Sequence, residues 1–574
     1  MATNKAEDWL ARYANNHHAW KTDTTNGKPV FQRPLGLVES SFDVDGTDFG
    51  GRADMNALFT LEIRHTLASQ EDFRQRIALA WASLRLQHVM LQSKVQEDEA
   101  TKKRSFVIGL QDSKEEVTEE ASKSIIWVED LYSSVDGHAL HRHCLNVARI
   151  IDPSQCLSRL HVLPLQPLPN GNFELQFLII MAHQISDGLT AYNWFSHFLR
   201  ILNTPVSDIE RDIDLSRTSE SIATRLPLAQ EDMYPPVATN KARARWFWAI
   251  MRVLRHVAKK LPPTFVNPLR RDLRLAEAVS FPPTFAKLFD YSEERKPPMN
   301  SGHCVAALSK TASNRLIELS RSIKVSMGAG CFALAGLAMM EIEEKRYPDI
   351  PDSERRPFAA SFPLNPRAFF GFITPPDSCM LAFSDGVVMP FLPSSLPIEA
   401  RFKLTAKQAN RQLRVYQKRL KTAEVNISLE PHSSGRLLAN GYLYQIERVE
   451  AKLPSDRKTG FNPQGKLPAN TSQFGATCGV SSVGPTAAFL RPGTYDFNDL
   501  GKGEGKDLVA DFRDFMMGVR ARDNEFLVGS STDSYGVVKF GVSYDESAIS
   551  EDAAEAWAEK INSLLEPYDK RSEL

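Results

Sequence analysis

The sequence predicts an α/β layered protein built as two lobes, and three observations lead there. The chain has 574 residues, and a single hydrophobic core stops growing near about 250–300 residues. Segments with strand and helix periodicity alternate in two long zones, about 1–204 and about 301–574, as layered α/β proteins do. Between these zones the composition changes. Of the 34 prolines, 10 lie between Arg225 and Asn300, with Pro-Pro pairs at 235/236, 262/263, 282/283 and 297/298. Such a stretch breaks regular elements and reads as a connector. The expected division is an N-terminal lobe at 1–204, a proline-rich connector at 205–300 and a C-terminal lobe at 301–574.

Taken in order, Leu58–Thr66 reads as a strand. Glu71–Lys94 reads as a helix, because Phe73, Ile77, Ala80, Leu84 and Leu91 recur near helical spacing. Phe173–Ala182 is a strand candidate that runs into a helix beginning near Leu189. In the connector, Lys241–Lys260 carries seven Lys/Arg and no acid. Trp246, Ile250, Val253, Leu254, Val257 and Leu261 recur there at helical spacing, with Arg245, Arg252, Arg255 and Lys259 elsewhere on the wheel. Three readings stay open: a helix packed across the protein with a solvated basic face, a helix on a membrane surface, or a basic face meeting an anionic cofactor or carrier protein. The packed helix is favoured over membrane contact through 241–261. In the last zone Thr311–Ile323, Ser326–Tyr347, Glu399–Leu420 and Glu551–Leu565 read as helices. Ala359–Leu364, Glu525–Ser531 and Gly536–Tyr544 read as strands. Val325–Met340 is uncharged but only 16 residues long. That is too short to span a bilayer, so it reads as a buried core helix.

Composition narrows the function. Lys+Arg of 69 against Asp+Glu of 70 leaves a formal charge of -1, which argues against a general nucleic-acid binder. The hydrophobic share of 42% and charged share of 24% describe an ordinary globular protein. Six scattered cysteines without a C-x-x-C pair fit neither a disulfide framework nor a zinc module, and a cytoplasmic, reducing setting is expected. Met1–Asn16 has no apolar stretch of the signal-peptide kind. The sequons at Asn426 and Asn470 therefore carry little weight, and Ser572-Glu573-Leu574 has an acid where a peroxisomal tripeptide wants a base. The spacing of His138, His141, His143 and Cys144 matches no standard metal site. Asp43-Val-Asp45-Gly-Thr-Asp48 lacks the closing glutamate of a calcium loop, and Asp48-Phe-Gly stands without other kinase elements. Both read as turns, and no metal is expected.

The segment that carries chemistry is Phe177-Leu-Ile-Ile-Met-Ala-His183-Gln-Ile-Ser-Asp187-Gly188, followed by an amphipathic helix with Leu189, Tyr192, Trp194, Phe195, Phe198 and Leu199. An apolar strand delivers a histidine at its end, where it can project into a cleft. Histidine is the side chain best suited to take a proton near neutral pH. Asp187 can cap the helix that follows, or fix the loop by pairing with a distant arginine. Gly188 allows positive φ or close backbone approach. The plain alternative is a core histidine beside an N-cap aspartate, and spacing alone does not exclude it.

The segment resembles the HxxxDG motif of the CoA-dependent acyltransferase superfamily, which includes chloramphenicol acetyltransferase, plant BAHD acyltransferases and peptide-synthetase condensation domains. Other pieces fall in that family's order. Ile77–Val95, with Leu86-Gln-His88-Val-Met-Leu91, is similar to its early helix; Phe362-Pro-Leu-Asn365-Pro-Arg367 to its N-x-R element; Val480-Ser481-Ser482-Val-Gly484 to its S-N-x-G strand. Gly536–Glu546 and the helix after it resemble its ending. The chain departs at Ala182, where condensation domains carry a second histidine, and it lacks the BAHD D-F-G-W-G signature; Tyr495-Asp496-Phe497-Asn498 is a faint echo. The pattern is therefore most similar to the free-standing fungal branch, whose members include trichothecene 15-O-acetyltransferase. Ser384-Asp385-Gly386 imitates the motif, but Leu381 stands at the histidine position.

The resemblance implies two chloramphenicol-acetyltransferase-like lobes with an active-site channel between them. It implies His183 as general base, Asp187 as structural, Arg367 as the partner of Asp187, and Asn365 beside it. Ser482, Gly484 or the Gly188 amide would serve the oxyanion or line the channel. It implies an acyl-CoA cosubstrate, acetyl-CoA first, with no tightly bound cofactor, and a small hydroxylated acceptor such as a trichothecene or polyketide alcohol. A carrier-protein thioester donor is the alternative within the fold, and a non-catalytic scaffold is the alternative outside catalysis. A monomer is expected.

Overall fold

The structure, a computed structural model, describes residues 9–25, 27–237, 240–257, 262–367, 370, 377–384, 386–421, 429, 433–471, 476–503 and 505–567. Asn426, Asp385, Lys259, Leu261 and Ser572–Leu574 lie outside the described residues.

Two mixed β-sheets organise the chain. In the first, the strand order is Leu508–Val519, Met55–His65, Phe173–Met181, Ser158–Val162, Ile125–Trp127, with Gln166–Pro167 pairing onto Phe173–Met181. Phe173–Met181 is central, and its last five residues are buried. A strand covered on both faces reads as a continuous apolar run. The helix Gln70–Gln87, capped by Ser69, packs on this sheet and puts Phe73, Ile77, Trp81 and Leu84 into the first core.

The second sheet runs Ser301–Ala307, Val538–Asp545, Phe526–Thr532, Cys478–Pro485, Phe358–Ser361, Val387–Met389. Its core is filled by the helix Met327–Arg346, buried along most of its length, and by Trp557 of Glu551–Ser563. Among the described residues no single helix is long and apolar enough to cross a membrane.

The linear division at residue 300 does not hold throughout. Leu508–Val519 leaves the second zone and pairs along the whole of Met55–His65. Strand pairing is non-local, so a sequence pattern finds a strand without finding its sheet. The connector is a strap: it sets Phe285 and Phe289 in the first core and Phe265 and Leu269 in the second.

Two readings need correction. Asp43–Asp48 is not a turn but the end of the helix Leu37–Asp48. Its aspartates are poor helix formers, and tertiary pairing supports them. Asp43 accepts from Arg104 at 2.6 Å, Asp45 from Arg522 at 3.1 Å and Asp48 from Arg457 at 2.8 Å. At Gly46 a Cβ would meet the Arg149 guanidinium at 2.3 Å, so a larger residue there would have to displace that arginine. The second correction concerns the basic helix, Lys241–His256. It turns Phe247, Trp248 and Met251 inward, not Trp246 and Val253. The inward side joins a satellite cluster with Trp9, Tyr13, Tyr442 and Leu443.

Candidate active site

Past Met181 the chain is tied to the neighbouring strand by Ala182 N donating to Leu157 O at 2.9 Å. His183–Ile185 then make one 3-10 turn, and Asp187, in extended conformation, starts the helix Gly188–Leu202. The strand thus hands the imidazole to the rim of the first sheet.

The ring of His183 is half-buried. It lies flat on Phe42, with centroids 3.8 Å apart and planes 2° from parallel. The Arg522 guanidinium sits 5.3 Å from the centre of the same Phe42 ring. Nδ1 is sealed from solvent and has no hydrogen-bond partner among the described residues, and Nε2 does not share that condition. Burial, then the Arg522 charge, push the His183 pKa down to about 4, against the carbonyls of His183 and Ser186 and the Asp45 carboxylate, which raise it. The imidazole is therefore neutral across the physiological range, with Nε2 free to accept a proton.

Asp187 fills both roles read from the sequence. Its Oδ1 accepts from Thr190 N at 3.0 Å, a helix cap, and its Oδ2 accepts from Arg367 Nη2 at 2.6 Å. Arg367 Nη2 also donates to Thr190 Oγ1 at 2.8 Å and Ser378 O at 2.6 Å. Asn365 Oδ1 orients this arginine by accepting from its backbone N at 3.1 Å and its Nη1 at 3.2 Å.

The segment that Arg367 grips is clasped along its length. Met380 N donates to Asp187 Oδ2 at 3.0 Å, and Leu381 N donates to Gln230 Oε1 at 2.8 Å. At its start, Asp377 Oδ2 accepts from Asn193 Nδ2 at 2.7 Å and lies 3.1 Å from His88 Nδ1. Cys379, between the two gripped residues, is buried with Val38, Phe42 and Ala53. The clasp thus backs Phe42, and Phe42 backs His183.

Beside this wall lies a group of charges the sequence reading missed. Asp45 accepts from Arg522 Nε at 3.1 Å and from Lys452 Nζ, and Lys452 Nζ also donates to Ser41 Oγ at 3.1 Å. Burial works against ionised Asp45, but Arg522 and Lys452 more than offset it and hold the carboxyl below its usual range. Burial, then the neighbouring Arg448, push the Lys452 ammonium down. No local pattern announces this group, because Asp45 is more than 400 residues from both of its cations. Thr190 was within reach of sequence reasoning, standing three residues after an N-cap aspartate.

Gly188 needs correction. It has no positive φ, and a Cβ on it would meet nothing within 4 Å. Neither turn geometry nor crowding by the described residues explains it, and among these the space beside it is open. Ser482 and Gly484 lie on Cys478–Pro485 of the second sheet, with Ser482 exposed. Gly484 has φ +82° at a register shift in that strand. Two of the three histidines of Gly137–Cys144 have structural partners: His141 Nε2 lies 3.1 Å from Asn56 O, and His143 Nδ1 lies 2.7 Å from Tyr291 Oη. A cleft of about 760 Å3 lined by Phe49, Arg149, Arg159 and Phe289 runs between the first lobe and the strap, and His183 does not line it.

The fold is similar to that of trichothecene 15-O-acetyltransferase from Fusarium sporotrichioides, with TM-score 0.65 at 11% identity, covering 96% of this chain and 97% of that one. It is also similar to the condensation domain of the Monacolin K polyketide synthase, with TM-score 0.49 at 12% identity, covering 93% of this chain and 96% of that domain. The first of these likenesses, over nearly the whole chain, gives it the chloramphenicol-acetyltransferase-like fold expected above. No protein-family model and no curated protein sequence matches it.

Proposed function

We propose that this protein is a CoA-dependent O-acyltransferase acting on the hydroxyl of a small, largely apolar alcohol, with His183 as general base. The observation that carries the reading is a neutral, half-buried imidazole at the end of the central strand, sealed at Nδ1 and not at Nε2. Nε2 takes the proton of the acceptor hydroxyl as its oxygen attacks the thioester carbonyl. The tetrahedral intermediate collapses, the C–S bond breaks, and the CoA thiolate recovers the proton from His183. No acyl-enzyme forms. Asp187 and Arg367 hold the loop and do not touch the reactants. The likeness in fold to a protein named as a 15-O-acetyltransferase supports an acetyl donor and a multicyclic alcohol of the trichothecene or polyketide kind. Six free cysteines support a cytoplasmic setting.

The direct test follows thiol release from acetyl-CoA with a panel of alcohols, beside the same acyl group on a carrier protein. Turnover with free acetyl-CoA and ester products is expected; turnover with the carrier protein alone would replace the donor assignment.

The low pKa of His183 has a kinetic sign. A base works when unprotonated, so kcat/KM should stay level from pH 8 down to about pH 5 and fall only as pH approaches about 4. Arg522→Gln removes a charge that disfavours the imidazolium, so the acid limb should move to higher pH. An acid limb near the ordinary histidine value in the unaltered protein would contradict this arrangement.

The space beside Gly188 gives a second expectation. Gly188→Ala should leave thermal stability unchanged or raise it by up to ~1 kcal/mol, since alanine suits a helix better than glycine. On the proposed reading it should nonetheless raise KM, because the methyl enters the open space beside the His183 loop. Melting curves and initial rates on one preparation decide it, and a fall in melting temperature with unchanged KM would mean the glycine serves the fold.

A further inference from the structure

We propose that the outward face of the helix Lys241–His256 is a docking surface for an anionic lipid membrane. This inference does not depend on the acyl-transfer reading.

The helix presents two different faces. Inward, Phe247, Trp248 and Met251 are buried in the satellite cluster, and Arg255 is locked there: Nε donates to Glu447 Oε1 at 3.2 Å, Nη1 to Asn440 Oδ1 at 3.0 Å and Nη2 to Asn470 O at 2.7 Å. The helix is firmly seated, so its outer face is not one awaiting a place in the core. Outward, Trp246 is 69% exposed, Val253 54% and Val257, the residue that ends the helix, 63%. Spacings of seven and four put these three on one stripe, about 16 Å long at 1.5 Å per residue. Ala249, also exposed, fills the gap. Lys241, Arg243 and Arg245 are exposed at the N-terminal end of the same helix, and the helix contains no acid.

Solvent alone does not account for an apolar stripe crowned by tryptophan and flanked by cations. An acidic protein surface would match the cations and leave the stripe unmatched. An anionic bilayer matches both. The apolar residues and the indole enter the headgroup–acyl boundary, and the arginines and lysine stay among the phosphates and carboxylates. A helix about 24 Å long lying in the membrane plane needs no spanning segment.

The test is co-sedimentation of the full chain with vesicles of phosphatidylcholine alone, or with about a third phosphatidylserine, at low and high salt. Binding is expected only with phosphatidylserine and should weaken with salt. Arg243→Gln should lower the partition coefficient about fivefold, the effect of one cation near an anionic surface. The triple variant Trp246→Ala, Val253→Ser, Val257→Ser should lower it about tenfold or more. These exposed positions lie outside the catalytic arrangement, so melting temperature and turnover in vesicle-free solution should not change. Equal binding to neutral vesicles, no binding, or undiminished binding by the triple variant would overturn the proposal. So would binding to soluble polyglutamate as tight as to the vesicles, which would assign the face to an acidic protein.

Discussion

Replacement of His183 by alanine is expected to slow acyl transfer by about 10²–10⁴-fold, the usual contribution of a positioned base. The protein should still fold. The ring's main contact is the stack on Phe42, and aromatic pairs of this kind contribute about 0.5–1.5 kcal/mol beyond burial. Its loss is partly offset, because the buried and unpartnered Nδ1 disappears with it. Melting and near-ultraviolet circular dichroism should therefore match the unaltered protein within a few degrees while kcat collapses. His183→Gln is the sharper companion, since it refills much of the volume without a base of useful strength. If either variant, correctly folded, turned over acetyl-CoA at the original rate, the catalytic assignment would be wrong, whatever the fold resembles.

Some of this was legible in the sequence and some was not, and the division has physical causes. Phe173–Met181 and Met327–Arg346 declare themselves because burial on all sides leaves an unbroken apolar run. The pairing of Asp187 with Arg367 was expected from a motif, and the two lie 2.6 Å apart across 180 residues of chain. The helix Leu37–Asp48 was missed because its aspartates oppose helix formation locally and are supported by distant cations, Arg104, Arg522, Lys452 and Arg457. Phe42 was missed with it, although it is the wall of the site. The basic helix was found, but its inward side was only partly placed: Leu254 packs inward as read, whereas Trp246 and Val253 face out and Arg255 faces in. Apolar residues populate much of its wheel, and periodicity cannot say which apolar stripe meets the protein when aromatic partners come from residues 9–13 and 438–446. Ser482 and Gly484 were named from their strand phrase alone, and such a phrase fixes neither the sheet they join nor what they face.

Arg367→Ala should destabilise the protein by about 3 kcal/mol and also lower kcat. The stability term follows from the pair's surroundings: the Asp187 side chain is 6% exposed and that of Arg367 11%, and removing one partner of a buried pair leaves a charge unmatched, at a cost of about 3–5 kcal/mol. The lower end applies because Asp187 keeps the Thr190 and Met380 amides as donors. The kinetic term runs through the clasp. Without Arg367, Ser378 O loses its charged donor, Cys379 is held less firmly against Phe42, and Phe42 no longer presses on the His183 ring. Water then reaches the imidazole more easily. Since burial is the main cause of the low His183 pKa, the acid limb of kcat/KM should rise toward the ordinary histidine range. A purely structural arginine would lower stability and leave that limb where it was. Arg367→Lys should recover part of the stability, as a charge returns beside Asp187, but less of the rate, because lysine has no second nitrogen to keep the Asn365 contact that orients Arg367. Asp187→Asn combined with Arg367→Ala closes the cycle. A loss well below the sum of the two single losses would establish the pair as one unit, and strict additivity would separate them.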